Sequence, residues 1–347
     1  MRALVHAMGL VVLLLPAVGA TAAAAATPLP LRLGDTGLYV AGSTTRVSDG
    51  VLSYSPQYPL WSDGTHKRRW VLLPPGTAID ASQPDAWEFP PGTRLWKEFA
   101  WGRPIETRYL ERLDDGSWRF ATYVWTPDGR DAVLAPEGGV VLDAGPAGRY
   151  VVPSRGDCLA CHEGPAVPVL GFSALQLSPD RDPLAPHADP PRAGDVDLRA
   201  LVAQRQVAHL PLALLVTPPR IAAPTPTARA ALGYLHGNCG HCHDPDGALD
   251  GLDLALAQRA DPGAGSVSRT LHSLLGRESR FRPQGASHAQ RIAIDTGSPS
   301  MVLLRLRATS PLARMPPLGV QLTDAEGAAL VERWIHEQQH HRLEERR

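Results

Sequence analysis

The placement of the four cysteines is the strongest constraint on what this chain of 347 residues can fold into. They form two pairs of the form Cys-x-x-Cys, and a histidine follows each pair directly. On a helical turn, residues i and i+3 lie on the same face, so both thiols of a pair can reach one bound group. The next residue then presents an imidazole to that group. The two segments are Cys158-Leu159-Ala160-Cys161-His162 and Cys239-Gly240-His241-Cys242-His243.

Cys-x-x-Cys-His is the attachment sequence of c-type haem. The two thiols bind the porphyrin vinyl groups, and the histidine is the proximal ligand of the iron. Because the two segments use every cysteine of the chain, we predict two covalently attached haems c. The predicted cofactor-binding residues are Cys158, Cys161 and His162 for the first haem, and Cys239, Cys242 and His243 for the second.

Three other uses of paired cysteines have to be weighed. A zinc site built from both pairs would normally have a gap of about 15–20 residues between them. Cys161 and Cys239 are much further apart, and zinc would leave both histidines unexplained. A thioredoxin-like redox pair needs a strand-to-helix setting that neither segment shows. Two structural disulfides are common in exported proteins of this cysteine content, but they too give the histidines no role.

A second ligand for the second iron is predicted in the segment Ala313–Gly319 (ARMPPLG). The thioether of Met315 is a soft ligand, and methionine opposite histidine raises the reduction potential of haem iron. The two prolines that follow stiffen the loop. Met301 is the competing thioether, but its apolar neighbours predict the buried face of a helix. The predicted metal ligands are therefore His162, His243 and Met315.

The sequence leaves open the sixth ligand of the first iron. No methionine lies between the two attachment segments, and the local nitrogen donors are His187 and His209, with His66 more distant. Each of these is also compatible with an exposed or hydrogen-bonded histidine. An iron with no sixth protein ligand would have an open position for a small molecule. His241, inside the second segment, is predicted to be exposed.

Residues 44–152 have the composition of an all-β domain. Four runs rich in aromatic and β-branched residues are separated by Pro-Pro-Gly and Asp-Asp-Gly turns, and the second of these turns, Asp114–Gly116, predicts a hairpin. We expect a sandwich or barrel-like domain. The four predicted strands are Arg68–Leu73, Thr93–Trp101, Ile105–Leu113 and Ser117–Trp125.

The remainder is predicted to be a mainly α, loop-rich, haem-binding region, which makes the fold class mixed. Residues 153–216 carry the first attachment segment and a helical pattern over Val196–Val207. The stretch Thr217–Pro226 is rich in proline and predicts a linker. Residues 227–340 form the second haem domain.

Three helices are predicted in this last domain. Thr227 can cap a helix that leads into Cys239. Ser298–Arg307 is the second helix. Thr323–Glu326 has the form of a capping box that opens the third.

The order helix, Cys-x-x-Cys-His, wrapping loops, Met-Pro-Pro and final amphipathic helix resembles a class I cytochrome c domain over roughly residues 225–340. A weaker resemblance covers most of the remaining chain, through Tyr58–Gly64 (YPLWSDG) with Lys67, Phe89–Thr93 (FPPGT) and Val152–Cys158 (VPSRGDC). These segments are similar to an uncharacterised family of exported bacterial proteins in which a β domain precedes haem motifs. The resemblance implies this architecture and does not indicate a substrate.

Residues 1–26 have the layout of a secretory signal peptide. A weakly basic start with Arg2 precedes the apolar run Gly9–Val18 and the small residues Gly19–Ala26. The run is too short to span a bilayer, which needs roughly 20 residues; an uncleaved anchor is the alternative. We expect a periplasmic protein with no transmembrane span. With 34 Lys+Arg and 35 Asp+Glu, the chain has no charge surplus that would attract nucleic acid.

These features predict a periplasmic dihaem c-type cytochrome that transfers electrons between redox partner proteins, from a dehydrogenase or other donor to a terminal acceptor. The alternative is a haem enzyme of the peroxidase or oxidase type, with an open coordination site on the first haem. A third hypothesis is a binding subunit whose β domain docks a partner, and it depends on the aromatic residues between Trp61 and Trp125.

Overall fold

The computed structural model describes residues 28–145, 148–163, 165, 168–245, 247, 249–282, 289–293 and 299–344. The predicted signal peptide, residues 1–26, lies outside these residues. Within them, a large antiparallel sheet occupies the N-terminal part and helices follow, so the predicted mixed class is confirmed. No helix in these ranges combines the length and the apolar character needed to cross a membrane.

The main sheet has six strands in the order β1-β2-β4-β5-β6-β7, and every neighbouring pair is antiparallel. Two small sheets accompany it: β8 pairs with β9, and β10 pairs with β3 in parallel. The strands are β1 (Leu52–Ser53), β2 (His66–Leu72), β3 (Ile79–Asp80), β4 (Arg94–Trp101), β5 (Arg103–Arg112), β6 (Trp118–Trp125), β7 (Ala132–Leu134), β8 (Val140–Leu142), β9 (Tyr150–Val152) and β10 (Val207–Ala208).

The four predicted strands correspond to β2, β4, β5 and β6, with ends shifted by one or two residues. The predicted hairpin is also present, since the Leu113 amide donates to Ser117 across the turn at 2.9 Å and Gly116 has a φ of 82°. The sandwich or barrel that the sequence predicts is replaced by a simpler arrangement of sheets. In the described residues, the strands make one large sheet and two small ones, because the long strands follow one another as a meander.

The two faces of the main sheet differ in chemistry. One face carries aromatic residues that pack into a buried cluster around Trp96 and Tyr123. This face also carries the ion pair of Arg68 with the buried Glu98. The other face carries Lys67, Arg69 and Lys97 beside apolar residues and turns toward the rest of the chain. Of the tryptophans between Trp61 and Trp125, Trp101 is the one that is well exposed, at 43%. The aromatic residues of this part therefore mainly build the core.

Seven α-helices follow in the described part of the chain. They are α1 (Arg155–His162), α2 (Leu198–Ala203), α3 (Ala213–Val216), α4 (Pro226–Asn238), α5 (Ser266–Leu274), α6 (Met301–Arg307) and α7 (Ala325–Glu344). The predicted helix over Val196–Val207 is shorter than expected, because the chain leaves it after Ala203 and Val207 then pairs with Ile79.

Two predicted helix starts are corrected by the structure. Helix α4 is capped by Thr225, whose hydroxyl accepts the Ala228 amide at 3.0 Å, instead of by Thr227. Proline at the first helical position is compatible with this earlier start, since Pro226 has no amide to satisfy. Helix α7 is preceded by Asp324, which accepts the Gly327 amide at 2.9 Å, so the aspartate caps it in place of Thr323.

The segment Tyr58–Gly64 joins the sheet to helix α4. The Trp61 amide donates to the side-chain oxygen of Asn238 at 2.8 Å. Tyr58 lies so close to α4 that a β-carbon at Gly233 would overlap its ring, and one at Gly237 would overlap its carbonyl oxygen. One hydrophobic cluster runs from this segment through α4 to α7, so the β part and the helices share a core.

Replacing Gly237 by alanine should therefore destabilise the protein by on the order of 2 kcal/mol. The new methyl group meets backbone, and overpacking of this kind costs about 1–3 kcal/mol. Alanine is the better helix former by about 1 kcal/mol, which offsets part of the cost. Chemical unfolding measures the difference. Gly34→Ala is the matched control because no atom lies within 4 Å of its β-carbon position, and equal effects of both variants would contradict the close approach.

Candidate functional site

The first attachment segment lies on α1, directly after the β part. The Ser154 hydroxyl accepts the Asp157 amide at 3.1 Å, and Asp157 accepts the Ser154 amide at 2.9 Å. This reciprocal pair is a capping box, and it starts the helix two turns before its end. Cys158 and Cys161 follow at positions i and i+3 of the helix, as predicted, so both thiols occupy one face.

The imidazole of His162 is held in one orientation. Its Nδ1 lies 2.5 Å from the carbonyl oxygen of Pro168, and its ring centroid is 5.2 Å from that of Phe120 on β6. A carbonyl oxygen can only accept, so Nδ1 carries the proton and Nε2 keeps a free lone pair. Burial lowers the pKa of His162 to about 4, with Lys97 and Arg108 contributing in the same direction. The imidazole is therefore neutral at pH 7 and able to act as a ligand.

The second attachment segment begins at the C-terminal end of α4. The amides of Cys242 and His243 both donate to the Cys239 carbonyl, at 3.1 and 2.9 Å, and form a tight turn. His243 is 9% exposed, and its Nδ1 is buried without a hydrogen-bond partner in the described residues. Burial, followed by the charges of Arg305 and Arg291, lowers the pKa of His243. This imidazole is also neutral and has a nitrogen that no described group satisfies.

Met315 lies near the second segment. Its amide donates to the carbonyl of Arg305 at 3.1 Å, and Arg305 is the same residue whose charge acts on His243. The methionine lines a cavity that also contains Asn238, the residue before Cys239. The loop and the end of α4 thus share this space. Met301, the competing thioether, is 2% exposed at the start of α6, where the sequence predicts a core position.

The two segments lie close to each other in space. Burial and then the neighbouring Cys161 raise the pKa of Cys242 to about 11. The side chain of His241 contributes to the low pKa of His162, and Lys97 on β4 lowers the pKa of both histidines. Such mutual effects require short separations. The sequence gives no sign of this proximity, because long stretches of chain separate the segments.

All four cysteines are free thiols, and burial is the main cause that raises the pKa of each. For Cys239 the pKa reaches about 12. Contrary to the sequence prediction, the first segment does have a strand-to-helix setting, since β9 leads directly into α1. Reactive cysteines of redox enzymes have lowered pKa values, however, so the raised values here do not resemble those of a thioredoxin-like site. In the described residues, no three side chains from histidine, cysteine, aspartate and glutamate converge as metal ligands.

The other predicted ligand candidates are engaged elsewhere. The Nε2 of His187 lies 2.9 Å from both carboxylate oxygens of Asp324 at the start of α7. His209 is exposed and lies 2.8 Å from Asp80. The side chain of His66 is 77% exposed. His241 was predicted to be exposed, but it is half-buried. Burial lowers the pKa of His241 to about 4.

These positions define a candidate site from two Cys-x-x-Cys-His segments, Met315 and His241, at the junction of the sheet and the helices. Comparison with protein-family models, with curated proteins and with solved structures gives no match to this chain.

Proposed function

We propose that the protein is an exported, periplasmic c-type cytochrome that carries two haems and passes electrons between redox partners. The observation that supports the proposal is that each segment presents two neighbouring thiols and a neutral imidazole, and that the segments interact electrostatically, Cys161 with Cys242 and His241 with His162. Two electron carriers on one chain can exchange electrons directly only if the fold brings them together.

The residues of the first segment fit a covalently attached haem. Cys158 and Cys161 offer two thiols from one helix face. His162 donates its Nδ1 hydrogen to a backbone carbonyl, which fixes the ring and leaves Nε2 for the iron, as in metal-bound histidines generally. The raised pKa values of Cys158 and Cys161 keep both thiols protonated before haem attachment.

The residues of the second segment fit a haem as well. Cys239 and Cys242 are separated by one turn, and His243 has a buried nitrogen without a partner. Met315, which lines the cavity beside Asn238, would supply a thioether ligand. A bound haem supplies a one-electron carrier, and a histidine with a methionine as axial ligands sets a high potential. The surrounding residues bury His243, half-bury His162 and keep both imidazoles neutral.

The haem-enzyme alternative needs an open position on the first iron. His187 and His209 are held by carboxylates, so neither is available without breaking that contact. His241, however, lies near His162 and is neutral. We propose it as the second axial ligand of the first haem, which favours electron transfer over peroxide or oxygen chemistry.

An electron paramagnetic resonance spectrum of the oxidised holoprotein tests these assignments. The protein is made in a host with haem-attachment machinery, and a pyridine haemochrome assay should give two haems per chain. We expect two low-spin signals, broadened by spin–spin coupling between neighbouring irons. His241→Ala should convert one of them to high spin, while His209→Ala leaves both unchanged.

Other outcomes would change the proposal in different ways. A high-spin signal in the unaltered protein would mean an open iron, and the enzyme hypothesis would replace electron relay. Two low-spin signals that persist in the His241→Ala protein would exclude His241 as a ligand. A preparation without covalent haem would overturn the function altogether.

A further inference from the structure

Four basic side chains lie together on the face of the main sheet that turns toward the rest of the chain. Strand register places Arg69 on β2 opposite Lys97 on β4, and Lys97 opposite Arg108 on β5. Lys67 is two residues before Arg69 on the same face, since side chains alternate along a strand. We call Lys67, Arg69, Lys97 and Arg108 the sheet cation cluster.

Most of the positive charge in this cluster has no direct counter-charge. Arg108 binds the fully buried Glu106 at 2.7 Å. Lys67, Arg69 and Lys97 form no ion pair with another described residue, although Lys67 and Arg69 are only 6% and 5% exposed. Asp189 and Asp324 act on Lys67 from a greater distance. The amine of Lys97 contacts the ring of Phe99 at 4.9 Å.

Buried cations without partners are costly, because desolvation is not balanced by a nearby negative charge. The cost is visible in their titration: burial and the neighbouring Arg69 lower the pKa of Lys67 to about 7. The same two causes move the pKa of Lys97 well below its usual value. A fold keeps such a cluster without penalty if an anion accompanies it.

The cluster lies beside the first attachment segment. The ring of His162 packs on Phe120 of β6, with the ring centroids 5.2 Å apart, and strand register places Phe120 opposite Leu110, two residues from Arg108 on the same face. Lys97 also acts electrostatically on His241 of the second segment. Arg108 acts on Cys158. An anion that binds here is therefore adjacent to whatever the first segment holds.

We propose that the sheet cation cluster is a carboxylate-binding site, and that its occupants are the propionate groups of the attached haems. Each porphyrin carries a pair of propionates, so the unpaired charges of Lys67, Arg69 and Lys97 would be matched. The inference rests on the proposed function, since the propionates come with the haems. The other source of the same chemistry is a free carboxylate or phosphate in solution.

The test is a redox titration of the holoprotein and of three variants, after a haemochrome assay has shown that each retains two haems. Lys97→Met and Arg69→Met remove charge from the cluster at similar length. Arg103→Met is the control, because it removes an exposed charge at the start of β5. Removal of a cation near a haem favours the ferric state. We expect Lys97→Met to raise the ratio of oxidised to reduced haem about tenfold at fixed potential, which is about 59 mV for a one-electron couple.

The outcomes distinguish haem propionates from free anions, and they distinguish failure of the carboxylate site from failure of the proposed function. Propionate occupancy predicts the shift in the cluster variants and no response of the unaltered holoprotein to added phosphate or citrate. A potential that responds to these anions, with the response lost in Lys97→Met, would assign the site to a free anion and overturn propionate occupancy. Shifts no larger than that of Arg103→Met would overturn the carboxylate site. Absence of haem from every preparation would instead refute the proposed function.

Discussion

Replacing Cys239 and Cys242 together by alanine should lower the haem content from two to one per chain and destabilise the fold. Cys239 packs against the shared hydrophobic core at the end of α4. A covalently attached haem stays on the chain when it unfolds, so the loss is that of the ligation and packing it would make only in the folded state, on the order of 3 kcal/mol. For a chain of 347 residues, such a loss corresponds to a decrease in Tm of about 4 °C. Haemochrome assay and thermal unfolding measure the two effects.

The first cysteine pair offers the matched control. Helix α1 has no fully buried residue, whereas Cys239 packs against the shared core, so Cys158→Ala with Cys161→Ala should also remove one haem but lower the Tm less, by the contribution of the Cys239 contact. Equal thermal effects of the two double variants would contradict the structural difference between the segments. Full haem content in either variant would show that its cysteines are not attachment sites.

Replacing Met315 by leucine should lower the reduction potential of one haem by on the order of 0.1–0.2 V, within the roughly 0.8 V range that axial ligands span. The exchange nearly conserves volume, so the fold should tolerate it at a cost below about 1.5 kcal/mol. Loss of the soft thioether removes the ligand that favours ferrous iron. Potentiometric titration measures the shift, and absorption spectra of the ferric protein report the loss of the sulfur ligand.

Met301→Leu makes the same chemical change at the other thioether. Met301 is buried at the start of α6, so its replacement should leave both potentials unchanged. If Met301→Leu lowers a potential while Met315→Leu does not, the ligand has been assigned to the wrong residue. If neither variant has an effect, the second iron has no methionine ligand.

The regular elements of this fold were predictable where local signals are strong. The strands β4 to β6 are rich in aromatic residues, with β-branched residues in β5 and β6, and Asp114–Gly116 forms the expected turn. Helix starts were less predictable, because several residues that can cap lie near one another. Thr225 caps the helix in place of Thr227 because Pro226 fits the first helical position. The Thr225 hydroxyl also donates to Glu337 on α7, a contact that local sequence does not reveal.

The candidate site was predictable in its parts and not in its assembly. Cysteine spacing identifies the two segments, because thioether attachment requires neighbouring thiols. The position of His241 depends on how α4 meets the sheet, which Tyr58 and two glycines of the helix decide through contacts across the chain. The burial of Lys67 and Arg69 could not be predicted either, because charged residues that alternate along a strand normally face solvent.

The fit of Tyr58 against α4 has a consequence for the biogenesis of the protein. The second pair of thiols follows a helix that is closed over by an earlier part of the chain, and Trp61 and Asn238 seal that contact. For the proposed cytochrome, an attachment enzyme would need both thiols within reach, so it would have to act before this closure. If the chain is exported as proposed, the N-terminal sheet would leave the membrane first, and folding would compete with haem ligation. Slower closure, as in a Tyr58→Ala chain, would then give the ligation step more time.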